Sequence, residues 1–68
     1  MQTIVYGAKT FILENPTAAQ LLLDAKLLRE GGLDEASQEL VSLAVKVETG
    51  TLTGNEALLI AQPRRAAA

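Results

Sequence analysis

Gly31-Gly32 constrains this chain more than any other feature, because helix-like spacing runs up to it and starts again beyond it. Paired glycines readily supply the left-handed backbone that ends a helix, so Ala25–Leu40 reads as a helix end, a stop and a second helix start. Counting back from the stop at 100° per residue puts Ala18, Leu21, Leu22, Ala25 and Leu28 on one face of a helix over residues 16–30. Asn15 can cap it with Pro16 at the first helical position, or Thr17 can cap it with Gln20 three residues on. Forward of the stop, Asp34 reads as an N-cap, and Ala36, Leu40, Leu43, Ala44 and Val47 form the stripe of a helix over residues 34–49. Leu43, Val45, Val47 and Thr49 also alternate at period two, so residues 43–49 fit helix or strand. A third helix is expected over residues 54–62, with Thr53 and Glu56 at capping-box spacing, Leu52 poised to staple onto Ala57 and Pro63 closing it. Residues 63–68 then form a frayed tail.

Residues 2–14 are rich in β-branched and aromatic side chains and are divided by Gly7-Ala8. Glycine in the first place fits a type II′ hairpin turn, which would set Tyr6 opposite Lys9 and Ile4 opposite Phe11. The alternative is one strand with a bulge at Gly7. The fold class is therefore α+β and mainly helical, with a β-hairpin or strand, a helical hairpin and a short third helix in one domain over residues 1–68.

Each long helix carries more apolar surface than one core needs. Leu23 and Leu27 fall outside the main stripe of the first helix, as Val41 and Val45 do in the second. With 49% apolar residues, no cysteine and no histidine, a chain of 68 residues has neither disulfides nor the commonest metal ligand to support it. Association is the remaining support, so a homodimer is expected, through strand pairing or through the Leu23/Leu27 and Val41/Val45 edges.

Chemistry is sparse. General acid–base and nucleophilic work would fall to Asp, Glu, Lys, Tyr or Ser. The eight carboxylates lie mostly at expected caps and polar faces, and the densest group, Asp34, Glu35 and Glu39, lacks the loop of oxygens a cation needs. Gly50-Thr-Leu-Thr-Gly54 lacks the Lys-Ser/Thr of a phosphate loop. The expectation is a protein that is not an enzyme and has no cofactor and no metal. No basic leader or apolar run of about 20 residues suggests export or a membrane span, so a cytoplasmic location is expected.

The order strand, helix, turn, helix over residues 9–49 resembles the ribbon-helix-helix layout. That resemblance implies an obligate dimer whose paired strands enter the DNA major groove. The outward strand set would be Lys9, Phe11 and Leu13, or Thr10, Ile12 and Glu14. Apart from Lys9, neither set supplies the Arg, Lys, Asn or Gln that reads bases. Asp34 and Glu35 would also stand where such proteins hold a phosphate at a helix start, and the net charge is −2. A further likeness, of Gly-Gly-Leu-Asp-Glu-Ala36 to the turns of tetratricopeptide-type helical hairpins, implies only that such a hairpin makes a binding surface. The function expected is binding to another protein as a small regulator, inhibitor or adaptor, with Tyr6, Phe11, Leu23, Leu27, Val41 and Val45 as interface residues. A DNA-binding dimer and a structural subunit of a larger assembly are the alternatives.

Overall fold

A computed structural model describes residues 1–65; of the frayed tail expected over 63–68, residues 66–68 lie outside the described residues and 63–65 are helical. The elements in order are β1 (Gln2–Tyr6), β2 (Lys9–Leu13), α1 (Pro16–Glu30), α2 (Asp34–Glu48) and α3 (Gly54–Arg65). The hairpin alternative is the one adopted. β1 and β2 are antiparallel, with Tyr6 opposite Lys9 and Ile4 opposite Phe11. Gly7 has φ of +60°, the positive value that the first position of a II′ turn demands. A side chain there would also collide with the Arg29 guanidinium, since a Cβ would fall well inside contact distance of Nη1.

Asn15 caps α1 by accepting from the N–H groups of Thr17 at 2.9 Å and Ala18 at 3.3 Å, with Pro16 at the first helical position. Gly32, at φ +82°, ends the helix. The Leu33 N–H donates to the Leu28 carbonyl and the Gly32 N–H to that of Arg29, which is the Schellman pattern. Gly50 ends α2 with the same pair of bonds, from Thr51 to Lys46 and from Gly50 to Val47. Residues 43–48 are helical, so the period-two alternation there is incidental: Leu43, Ala44 and Val47 are buried on the helical stripe.

Two expected boundaries are corrected. Asp34 is the first residue of α2, not its cap. Leu33 takes the cap position, with no side-chain bond, because the Schellman turn consumes Leu33 as it closes α1. Pro63 lies inside α3, which continues to Arg65. A proline deprives the carbonyl four residues back of its donor. Here that carbonyl belongs to Leu59, a residue 72% exposed, so water can take the bond. Ala61, fully buried, and an ion pair from Arg64 to Glu39 of α2 hold the last turn in place.

One core joins all five elements. Ile4 and Leu13 come from the hairpin, Leu21, Leu22, Ala25 and Leu28 from α1, Leu40 and Ala44 from α2, and Ala57 and Ala61 from α3. The Cα extents, 28 × 26 × 14 Å, fit a sheet laid on one layer of helices. Among the described residues no helix is long and apolar enough to cross a membrane.

At the start of α3, Thr53 and Glu56 form the reciprocal capping box. The backbone and side-chain bonds from Thr53 hold the Glu56 carboxyl below the usual 4.5. A carboxyl depressed in the folded state contributes stability that is present above its unfolded pKa and is lost as pH falls through its folded pKa. Carbon-detected NMR titration is expected to give Glu56 a midpoint below 4.5, and Thr53→Ala is expected to return it toward that value. An unshifted midpoint in the parent chain would mean the box does not form in solution.

Candidate functional site

The hairpin lies on the helices through one face. Ile4, Tyr6, Phe11 and Leu13 point inward, and Thr3, Val5, Thr10 and Ile12 point to solvent. Of the two outward sets the sequence allowed, the one with Thr10 and Ile12 is realised. It contains no cation.

Three braces fix the hairpin's position. At its tip the Arg29 guanidinium lies 5.0 Å from the centroid of the Tyr6 ring, a cation–π distance. The Tyr6 hydroxyl meets Ser37 Oγ of α2 at 2.8 Å. Ser37 Oγ donates to the Ala25 carbonyl of α1, so its one proton is committed and Tyr6 is the donor in their bond. At the far end the Glu48 carboxylate accepts from the backbone N–H of Asn15 at 3.0 Å and of Glu14 at 3.1 Å. That bond pair ties the end of β2 to the last turn of α2.

Between these braces β2 and α2 border an open groove of about 600 Å³. Its apolar floor is Phe11 and Val41 with the edge of the Tyr6 ring. Gln38 and Ser42 line it from α2, and Lys9, Arg29 and Asp34 are its charged lining. Among the described residues neither Lys9 nor Arg29 makes an ion pair. Summing the charged lining gives two cations against one carboxylate, net +1, on a chain whose net charge is −2.

The six expected interface residues fall into separate groups. Tyr6, Phe11 and Val41 share the groove, each half-buried and packed against the core. Val45, 42% exposed, continues the Val41 face one turn further along α2. Leu23 is half-buried against the core on α1, and Leu27, 60% exposed, stands outside the groove with it. Lys9, Arg29 and Ser37 join the site without belonging to that expected set. Ser37 precedes Leu40 by three residues and so extends the buried stripe of α2, a spacing that marks its position. No spacing joins Lys9 to Arg29, because their meeting depends on how the hairpin docks.

The acidic group of the α2 start borders a second shallow depression, which Asp34, Glu35 and Glu39 line together with Arg64, the ion-pair partner of Glu39; Asp34 also borders the groove. Among the described residues no three carboxylates gather closely enough to hold a metal ion. No protein-family model matches the chain, and no curated protein or solved structure gives a match to it.

Proposed function

We propose that this chain is a small non-catalytic binding protein, a regulator, inhibitor or adaptor that engages another protein through the groove between β2 and α2. The observation that carries the reading is the groove's composition. An apolar floor of half-buried Phe11, Val41 and Tyr6 is gathered in one concave surface beside Lys9, Arg29 and Asp34, whereas other exposed apolar side chains such as Ile12 and Leu59 lie outside it. Apolar anchors at the centre with polar and charged groups at the rim are the usual anatomy of a protein interface. The uncharged outward face of the hairpin gives the DNA alternative no Arg, Lys, Asn or Gln for bidentate base readout, only the hydroxyls of Thr3 and Thr10. A homodimer belongs to the same proposal, on a different surface, since Leu27 offers an exposed apolar side chain on α1, away from the groove.

A photoreactive residue placed at Gln38 in the groove, at Leu27 and at exposed Asn55 tests both parts. In the cells that make the protein, the Gln38 position is expected to give a discrete product with a second protein, and the Leu27 position a product of twice the chain's own mass. A Gln38 pattern no different from that at Asn55 would overturn the groove reading. Loss of the doubled product at Leu27 would remove the homodimer and leave the groove reading standing.

A further inference from the structure

The sheet is narrower than the layer it covers. Strands lie about 4.8 Å apart, so two of them span about 10 Å. Two packed helices, each about 10 Å across, span about 20 Å. Of the strands, β2 supplies Lys9 and Phe11 to the groove wall and β1 only Tyr6, so β2 is the strand that borders α2. Beyond its edge, Val41 stays half-buried and Val45 42% exposed on α2. A third strand would lie over them.

The free edge of β2 is chemically ready for one. With a two-residue turn, Tyr6 and Lys9 exchange the hydrogen bonds that close the hairpin, and alternation makes Ile4–Phe11 and Gln2–Leu13 the next bonded pairs. The N–H and C=O groups of Thr10 and Ile12 therefore point away from β1, along the open edge. Proteins guard such edges with proline, bulges or inward charges. Lys9–Leu13 has no proline, its register runs without a bulge, and its one guarding charge, Lys9, stands on the inward face at the turn end, leaving Thr10–Leu13 without one.

The geometry points to an extended segment of a partner protein, added as a third strand on β2, with a carboxylate two residues from a large apolar side chain. The two-residue interval follows from Lys9 and Phe11, which lie two apart on one face of β2. The carboxylate answers Lys9 and Arg29, neither of them ion-paired among the described residues, and the apolar group fills the floor at Phe11 and Val41. A second copy of this chain fits less well, because neither β1 nor β2 contains a carboxylate and both cations would stay unanswered. Backbone pairing would supply affinity and the alternate side chains selectivity. This inference rests on the protein-binding reading above and specifies its partner.

A phage-displayed library of random linear peptides, selected on the full chain, tests it. The enriched peptides are expected to place Asp or Glu two positions from a large apolar residue. Binding of the best synthetic peptide is expected to weaken about tenfold in Lys9→Glu, an exposed change that leaves the core untouched. Amide exchange, read on the unmodified chain, should slow at Thr10 and Ile12 on peptide binding and stay unchanged at Thr3 and Val5. Enrichment without an acidic position, no enrichment at all, or unchanged exchange at Thr10 and Ile12 would each overturn the strand-addition inference. A Gln38 cross-link that persists alongside such a result would show that the groove binds a partner by another mode.

Discussion

Leu22→Ala is expected to leave the chain largely unfolded at room temperature. Leu22 is completely buried at the centre of α1, where the hairpin and the other helices meet. Truncating such a leucine costs about 3–5 kcal/mol, the transfer term plus the cavity left behind. A domain of 68 residues has a total stability of about 3–10 kcal/mol, and small domains fall toward the lower end. One substitution therefore removes most of that stability. Far-UV circular dichroism through a urea titration reads the result. A cooperative transition with less than about 1.5 kcal/mol lost would mean that the neighbours collapse into the space, and that the core is less closely packed than the burial implies.

The second large effect is expected at the bond that locks the hairpin to the helices. Ser37→Ala strips the Tyr6 hydroxyl of its acceptor and the Ala25 carbonyl of its side-chain donor, a loss of about 1–2 kcal/mol. Tyr6→Phe removes the same bond from the other side. The two together should cost less than their sum by about 0.5–1.5 kcal/mol, since the bond can be lost only once. Faster amide exchange in β1 and β2 than in α1 should accompany either change, because the hairpin is what the bond holds. Additive losses, with no coupling, would mean that Tyr6 is held by packing and by Arg29 rather than by Ser37.

The same brace bears on function. Tyr6 forms one side of the groove floor, with Arg29 over its ring and Ser37 bonded to its hydroxyl. Loosening the hairpin would move Lys9 and Phe11 relative to Val41 and so disperse the groove without touching α2. Two of the residues expected to contact a partner, Tyr6 and Phe11, are thus also part of the packing that shapes the site.

Elements whose limits depend on neighbours along the chain are legible in the sequence itself. Asn15-Pro16 opens α1, Gly32 and Gly50 close α1 and α2, Thr53 with Glu56 opens α3, and Gly7-Ala8 turns the hairpin. Each of these signals acts within about five residues, through a cap, a positive φ or a turn, and needs nothing distant to take effect. The buried stripes of α1 and α2 follow for the same reason, since helical periodicity is itself local.

Only tertiary packing decided the rest. Either face of the hairpin carries apolar residues, and docking on α1 chose Ile4, Tyr6, Phe11 and Leu13 over Val5 and Ile12. Pro63 would end an isolated helix, but α3 continues to Arg65 because Ala61 is buried against the core and Arg64 reaches Glu39, 25 positions away in sequence. Ser37 became a buried brace only when Tyr6 arrived from 31 residues away. The groove itself, with Lys9 and Arg29 in its lining and Val41 on its floor, has no counterpart in any single stretch of the chain. Local stereochemistry determined the elements and their ends. Which faces were buried, and which were left open as a site, depended on contacts between residues far apart in sequence, whose free energy exists only once the elements have packed.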